Sequence, residues 1–167
     1  MNVSLRPLVI SDAETIARLG NNPKIAGYMR DVFPNPYHLE NAITFVNNVK
    51  DQKPTKVFAI LADGQQVGCC GIFPKEDVAR MNAEVGYWIG EEYWGKGIAT
   101  QALKLITAYG FDELGMNRIY ASVFIPNKAS ARVLEKGGFT YEGTHRESVL
   151  KNGQYFDELF YSLLRKD

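Results

Sequence analysis

The sequence predicts one domain of the α+β class, with a mixed, mostly antiparallel sheet flanked by helices. Three observations support this fold. The chain has 167 residues, of which 46% are hydrophobic, enough for one well-filled core. Segments with strand and helix periodicity follow the order β, α, α, β, β, β, α, β, α, β, β, which contains a single β-α-β crossover between long antiparallel stretches. No repeat or break in composition divides the chain, so we expect the domain to span residues 1–167.

The first third of the chain combines an edge strand with two helices. Residues 3–8 predict a strand at the edge of the sheet, because Pro7 cannot donate a hydrogen bond to a neighbour. Ser11 and Glu14 have the spacing of a capping box, which predicts the start of the first helix. Residues 21–37 hold three prolines and a glycine, so little more than a short helix fits there. Residues 39–50 predict the second helix.

The remaining elements follow from the turn signals between them. Asp63-Gly64 and Asn152-Gly153 each predict a tight hairpin turn. The first joins strands 56–62 and 66–73, and the second joins strands 139–150 and 155–164. Between the hairpins the sequence predicts a strand at 82–90, a long helix at 97–114 and a helix at 127–136. The strand at 118–125 is apolar nearly throughout, as expected at the centre of a covered sheet.

Charge and composition exclude several classes of function. Nineteen basic residues balance nineteen acidic ones, and no basic run is present, so we expect neither nucleic-acid nor membrane binding. The start of the chain shows no secretory leader, and we therefore expect a cytoplasmic protein. The only two cysteines, Cys69 and Cys70, are adjacent in a strand and point to opposite faces. Buried free thiols are expected there, with a vicinal redox pair as the alternative.

The most informative segment is the glycine-bearing loop between the strand at 82–90 and the helix at 97–114. A helix start exposes unpaired backbone N–H groups at the positive end of the helix dipole, which favours a phosphate or pyrophosphate. Gly95 and Gly97 allow a ligand to approach the backbone. A nucleotide loop of the Walker type fits poorly, because Gly97 stands where a Mg²⁺-binding Ser or Thr is needed. A plain tight turn is the other alternative.

This loop and the segment 118–139 together resemble the GCN5-related N-acetyltransferase family (GNAT). The family signature is Gln/Arg-x-x-Gly-x-Gly/Ala; Gly97 and Ala99 match it, while Trp94 takes the first position. With tryptophan at this position, the loop is similar to that of the branch that acetylates the N-termini of ribosomal proteins. The ending at 152–157 is similar to that branch and to its polyamine-acetylating relatives. The resemblance implies two central strands that splay apart to form a slot.

The resemblance implies that acetyl-CoA is the cosubstrate. Its pyrophosphate would rest on the backbone amides of the loop and the helix start, which are those of Gly95, Lys96, Gly97, Ile98, Ala99 and Thr100. The pantetheine arm would pair with the strand edge of Tyr87, Trp88 and Ile89. Asn127 would hydrogen-bond the same arm, and an asparagine at this position is also a favourable helix N-cap.

The implied reaction is direct attack of a neutral amine on the thioester, without a covalent enzyme intermediate. A base must then accept a proton. Glu84 is the first candidate, acting through a water, and Glu142 is the second. Ser130 is the candidate donor to the departing thiolate, because Leu134 stands where many family members carry a tyrosine. We expect no metal, since His38 and His145 are isolated histidines without neighbouring ligands.

Acceptor recognition is assigned to the variable first half and the last hairpin. Tyr28, Phe33 and Tyr37 are candidates to line an acceptor pocket, although all three could equally be core residues. The expected acceptor is a primary amine, either a peptide N-terminus or a small molecule. The sequence leaves open whether the protein forms a homodimer. The alternative function is a non-catalytic acyl-CoA sensor, which would keep the slot without turnover.

Overall fold

The computed structural model describes every residue from Met1 to Asp167 and contains seven strands and five α-helices. The strands are β1 (Val3–Pro7), β2 (Val57–Ala62), β3 (Gln65–Pro74), β4 (Asn82–Ile89), β5 (Arg118–Phe124), β6 (Thr140–Lys151) and β7 (Gln154–Leu164). The helices are α1 (Ala13–Gly20), α2 (Pro23–Ala26), α3 (Leu39–Val49), α4 (Ile98–Asp112) and α5 (Lys128–Lys136). None of these helices combines the length and the apolar character that a membrane span requires.

All seven strands form one sheet in the order β1-β2-β3-β4-β5-β7-β6. Every neighbouring pair is antiparallel except β4 and β5, which are parallel. The predicted α+β fold with a mixed, mostly antiparallel sheet is therefore confirmed. Pairing between β4 and β5 begins at Asn82↔Arg118 and ends at Glu84↔Tyr120. Beyond that point the two strands separate, which is the splay that the resemblance implied.

The two faces of the sheet carry two separate cores. The larger core includes side chains of α4 and α5, and the smaller one includes side chains of α1 and α3. Strand β4 alternates between them: Val85 and Ile89 belong to the larger core and Trp88 to the smaller. Cys69 and Cys70 also divide between the cores as free thiols, as the sequence predicted. Burial raises the pKa of Cys69 to about 12, so this thiol stays protonated at neutral pH.

Both predicted hairpin turns and the predicted edge strand are confirmed. Asp63 and Gly64 have φ angles of 49° and 82°, and Asn152 and Gly153 have φ angles of 51° and 74°. Positive φ at both central residues is the pattern of a type I′ turn, which matches the twist of the flanking strands. β1, which contains Pro7, lies at the edge of the sheet.

The first helix does not begin with the predicted Ser11 capping box, and that prediction was wrong. A 3-10 turn at Ile10–Asp12 precedes α1, and the Asp12 carboxylate accepts the Val9 N–H at 2.9 Å. Arg6 on β1 donates to both oxygens of Asp12, at 2.8 and 2.7 Å. Burial raises the pKa of Asp12, but the hydrogen bonds from Arg6 and Val9 outweigh it and leave the pKa lowered. A charge-assisted pair therefore sets this helix start.

β5 is less completely covered than its apolar sequence predicted. Ile119, Ala121 and Val123 are buried, whereas the alternate residues of the strand are only half-buried. α1 packs on β3 and on α3. The layer of α1 and α3 therefore covers one half of its face of the sheet and leaves the face of β5 beside it partly open. This open region borders the site described next.

Candidate active site

The loop between β4 and α4 forms an open cradle of backbone amides. Gly95 and Gly97 have φ angles of +74° and +75°, a left-handed conformation that favours glycine. A Cβ built on either residue would meet nothing within 4 Å, so the space above the loop is open. Gly97 is the N-cap of α4, and no side chain caps this helix start. The first N–H groups of α4 are therefore available to an anion.

Two side chains brace the cradle. The Trp94 indole N–H donates to the Ile89 carbonyl at 2.7 Å, which fastens the loop to the end of β4. Lys96 donates to the Glu92 carbonyl at 3.0 Å, and its ammonium lies 5.4 Å from the centroid of the Tyr93 ring. The tryptophan thus has a structural function at the position where the sequence departs from the signature, and Lys96 places a positive charge beside the amides.

The opening between β4 and β5 leads inward from this cradle. Because pairing ends at Glu84, the backbone edge of Tyr87, Trp88 and Ile89 that faces β5 has no strand partner. The Trp88 side chain is buried in the smaller core, so only its backbone can serve a ligand in the opening. The opening therefore offers a free strand edge of the kind that an extended arm can pair with.

Tyr87 and Ser130 meet from opposite sides of the opening. The Tyr87 hydroxyl lies 3.0 Å from Ser130 Oγ and 3.4 Å from the Ser130 carbonyl oxygen. The Ser130 N–H donates to Asn127 Oδ1 at 3.2 Å, which makes Asn127 the N-cap of α5. The structure thus brings three of the residues singled out in the sequence into one hydrogen-bonded group. The Asn127 side-chain NH₂ makes no hydrogen bond to the protein.

Glu84 lies at the last paired position of β4 and is held by two cations. Its side chain is 17% exposed; Arg30 approaches it to 2.9 Å and Lys75 to 3.5 Å. The carboxylate therefore lies between two cations at the point where the paired part of β4 ends. The Arg30 side chain is 74% exposed, so solvent screens its share of the attraction.

Glu142, the second base candidate, is tied to the opposite strand. It forms a short ion pair with Arg118 on β5, and its side chain is 41% exposed. Burial raises its pKa, but hydrogen bonds from Arg118 and Ser162 outweigh that effect and leave the pKa lowered. A lowered pKa makes this carboxylate a weaker base. Of the two candidates, Glu84 alone lies where β4 and β5 begin to separate.

The matches to known proteins agree with this geometry. Residues 2–140 match the family described as Acetyltransferase (GNAT) domain. This chain belongs to the GNAT family. The splayed strands, the glycine loop and the α5 N-cap are therefore the parts of a GNAT acetyltransferase fold.

Several GNAT relatives cover most of the chain. Spermidine N(1)-acetyltransferase of Escherichia coli (strain K12) is 34% identical over 92% of this chain and 81% of its own length. The putative ribosomal N-acetyltransferase YdaF of Bacillus subtilis (strain 168) is 38% identical over 65% of this chain and 58% of its own. Among solved structures, spermidine N-acetyltransferase from Vibrio cholerae, in complex with CoA and spermine, aligns with a TM-score of 0.82. That structure is 26% identical and covers 98% of this chain and 96% of its own.

The three aromatic residues proposed for the acceptor pocket have different environments in this GNAT fold. Tyr28 is 43% exposed. Phe33 is half-buried, with its ring edge-on to Trp88 and to Tyr37 at centroid distances of 5.7 and 5.1 Å. Tyr37 is buried in the smaller core against Gly20, and burial raises its pKa to about 12. Tyr28 is therefore the one whose side chain is open to a ligand.

Other site residues were not identified from the sequence. Arg30 and Lys75 lie 54 and 9 positions from Glu84 in the chain, and no motif marks them. Lys75 and Arg118 also lie over the Tyr120 ring, at 5.6 and 5.0 Å from its centroid. Only the folded chain brings these charges together. No group of three or more His, Cys, Asp or Glu residues lies close enough to hold a metal ion.

Proposed function

We propose that this GNAT protein is an acetyl-CoA-dependent N-acetyltransferase acting on a primary amine. The observation that carries the proposal is the opening between β4 and β5, with an uncapped helix start at its mouth. Acetyl-CoA combines an anionic pyrophosphate with an extended arm that ends in a thioester. The opening offers backbone amides to the pyrophosphate and a free strand edge to the arm.

The residues present fit that cosubstrate. The amides from Gly95 to Thr100 would hold the pyrophosphate, with Lys96 adding a local charge. The edge of Tyr87–Ile89 and the free amide group of Asn127 would hold the arm. When bound, acetyl-CoA supplies the activated acetyl group.

The chain's own side chains supply the proton chemistry that we propose. A primary amine with a pKa near 8 or above is mostly protonated at neutral pH and must lose a proton before it can attack. Glu84 accepts that proton, through a water, from the side of the sheet where Arg30 and Lys75 lie. Ser130 donates a hydrogen bond to the departing sulfur from the opposite side of the opening.

The acceptor would enter beside the variable first half of the chain. Lys151 at the end of β6 pairs with Asp31 at 3.0 Å, so the last hairpin contacts the loop that carries Tyr28 and Arg30. These elements border the partly open face of β5. Relatives whose names include spermidine and ribosomal acetyltransferase make both small-molecule amines and peptide N-termini suitable acceptors to test.

The test is release of free thiol from acetyl-CoA in the presence of an amine panel. The panel contains spermidine, single amino acids and peptides with the N-terminal sequences of ribosomal proteins. We expect thiol release and an acetylated product, identified by mass, with at least one acceptor. Titration calorimetry with acetyl-CoA accompanies the assay. Binding without turnover across the whole panel would favour the acyl-CoA sensor, and absence of binding would contradict both functions.

A further inference from the structure

We propose that Tyr87 is a positioning residue that directs the Ser130 hydroxyl toward the sulfur of the bound thioester. The inference rests on the proposed function, since it assigns a partner to the leaving group of that reaction. It starts from the contact between the two hydroxyls across the opening, where Tyr87 comes from β4 and Ser130 from α5.

The donor and acceptor inventory of Ser130 limits what its hydroxyl can do. Its backbone N–H is already donated to Asn127 Oδ1 at 3.2 Å. Its Oγ carries one hydrogen and two lone pairs. If Tyr87 donates its O–H to Oγ over the observed 3.0 Å, the Ser130 hydrogen is left free to point into the opening. If Ser130 donates to Tyr87 instead, no hydrogen is left for a ligand.

The environment of Tyr87 favours the first arrangement. Burial raises the pKa of Tyr87 to about 12, although the hydrogen bond with Ser130 acts in the opposite direction. A phenol is more acidic than an alcohol, and Oγ at 3.0 Å is nearer to the phenol than the Ser130 carbonyl oxygen at 3.4 Å, so the Tyr87 O–H donates to Oγ. A hydroxyl that accepts one hydrogen bond becomes a better donor in the next one, because linked hydrogen bonds polarise each other.

The step itself conserves every atom and charge. The amine nitrogen forms a bond to the carbonyl carbon, the C–S bond breaks, and its electron pair goes to sulfur. Glu84 takes the ammonium proton through water before the attack, and the second proton, which the nitrogen loses as the amide forms, goes to solvent. Ser130 donates a hydrogen bond to the sulfur as negative charge develops there and keeps its proton, and Tyr87 keeps its own. The sulfur is protonated by solvent after release.

Leu134 cannot donate a hydrogen bond to the sulfur, so this function falls to Tyr87 and Ser130. Its side chain is completely buried in the larger core and carries no polar atom. Tyr87 and Ser130 are the two hydroxyl side chains that meet across the opening. The pair therefore supplies a donor that α5 lacks one turn further along.

The test compares Tyr87→Phe, Ser130→Ala and the double variant with the matched control Tyr109→Phe. Tyr109 also buries part of its ring and donates its hydroxyl to a backbone carbonyl, that of Thr55 at 2.8 Å, on a different part of the sheet. The first readout needs no turnover: it is the ratio of the affinities for CoA and desulfo-CoA, measured by calorimetry at pH 9, where a substantial part of the thiol is ionised.

We expect the wild type and Tyr109→Phe to bind CoA about tenfold more tightly than desulfo-CoA, the size of one hydrogen bond to a charged group. Tyr87→Phe and Ser130→Ala should both bring the ratio close to one. In turnover, each should lower kcat about tenfold or more while the KM for acetyl-CoA changes little. Because Tyr87 acts through Ser130, the double variant should be no slower than Ser130→Ala.

Several results would overturn the inference. An unchanged affinity ratio in Tyr87→Phe would do so, as would independent, multiplicative effects of the two substitutions on kcat. If Tyr87→Phe fails to fold, as a thermal unfolding scan would show, an unchanged ratio in Ser130→Ala still overturns the inference, because Tyr87 is proposed to act only through that hydroxyl. CoA binding without turnover would contradict the proposed function but would leave the affinity ratio as a valid test. Absence of CoA binding would overturn both.

Discussion

Glu84 occupies the last position at which β4 pairs with β5, and its carboxylate is the base that we propose. Glu84→Gln keeps the shape of the side chain but removes the base. We expect kcat at neutral pH to fall roughly 10²–10⁴-fold, the usual contribution of general base catalysis. The dissociation constant of acetyl-CoA should change little. The loss should be largest at neutral pH, where the amine is protonated, and should shrink toward pH 10, where the amine has already lost its proton to solvent.

Glu142→Gln is the matched control for that experiment. Glu142 also pairs with a cation, Arg118, but its pKa is lowered by hydrogen bonds from Arg118 and Ser162 that outweigh burial. We expect its kcat to stay within about threefold of the wild type, since removing a weak base costs little. If Glu142→Gln and not Glu84→Gln lowered kcat at neutral pH, the two assignments would be reversed.

Gly97→Ala separates the ligand function of the loop from its conformational function. The positive φ of +75° costs an alanine about 1–2 kcal/mol, and the added Cβ meets no protein atom within 4 Å. That Cβ instead projects into the space proposed for the pyrophosphate, so acetyl-CoA affinity should fall at least tenfold. Gly115→Ala has a comparable φ of +67° and equally open surroundings, at the far end of α4.

Both variants should lose similar unfolding free energy in denaturant titrations, while only Gly97→Ala loses affinity. Equal acetyl-CoA affinities in the two variants would contradict the assignment of the cradle.

Single residues differ in how far the sequence could predict them. Gly97 and Asn127 stand in local motifs, so their positions at the starts of α4 and α5 followed from the sequence. Arg30 and Lys75 carry no local signal, because their importance arises only when distant segments meet at Glu84. Tyr37 shows a further limit: an aromatic residue in a proline-rich loop can be a core residue or a pocket residue, and only burial decides.

At the scale of elements, ion pairs connect the glycine loop to the first helices. The Glu91 carboxylate pairs with Lys24 and accepts from Asn22 Nδ2 at 2.7 Å, and Glu92 pairs with Arg18 at 2.9 Å. These contacts link the proposed cosubstrate loop to α1, α2 and the acceptor side. Each pair is largely exposed, so its contribution to stability is small, and positioning the loop is its main effect.

Glu91→Gln should therefore affect binding more than folding. We expect the dissociation constant of acetyl-CoA, measured by calorimetry, to rise about two- to fivefold, with the melting temperature nearly unchanged. Asp51→Asn is the control, because it weakens an equally exposed pair with Lys50 at the end of α3, in another part of the fold. A loss of affinity as large in Asp51→Asn would show that the effect is general electrostatics.

The pH dependence of this connection has a definite sign. Hydrogen bonds from Lys24 and then Asn22 lower the pKa of Glu91 from its ordinary 4.5. A lowered pKa in the folded state means that the interaction is intact above the ordinary value and is lost as the pH falls through the lowered one. The connection is therefore complete at neutral pH.

Elements followed from the sequence where the signal was local and failed where it was not. The Asp-Gly and Asn-Gly turns specified both hairpins, because few other dipeptides accept two positive φ angles. The Ser11 capping box failed because Arg6, on another element, draws Asp12 into a bidentate ion pair. The full covering expected of β5 failed because its neighbours on the sheet, not its own residues, decide which face is open.

At the scale of the whole molecule, several buried acids make the fold sensitive to alkali. Burial raises the pKa of Tyr37 and of Tyr87 from 10.0 to about 12 and that of Cys69 from 9.0 to about 12. The native state therefore keeps protons that the unfolded chain releases between pH 9 and 12. By linkage, the free energy of unfolding should fall steadily across that interval.

Urea titrations at a series of pH values test this expectation. In Tyr37→Phe one of the titrating groups is absent, so the decline in unfolding free energy should be shallower than in the wild type. A decline of equal slope in both proteins would show that Tyr37 is not protected from ionisation.

The zero net charge of the chain means that an anionic ligand must be held by local groups. Nineteen positive and nineteen negative residues give no general field that would hold an anion. The proposed binding of a pyrophosphate therefore relies on local groups, which are the amides at the uncapped start of α4 and the ammonium of Lys96 in the preceding loop. The overall fold could be predicted from the sequence because the loop and the crossover are continuous stretches of chain. The charges around the opening could not, because they come from separate segments.

The central claim is that the opening between β4 and β5 is the acetyl-CoA site, and a crystal structure of the protein with CoA tests it most directly. The account predicts pyrophosphate oxygens at hydrogen-bond distance, about 2.7–3.2 Å, from backbone nitrogens between Gly95 and Thr100. It also predicts the arm beside Tyr87–Ile89, with the sulfur next to Ser130. The account would be contradicted if CoA bound elsewhere, for example in the groove between α5 and β7, while the opening between β4 and β5 stayed empty.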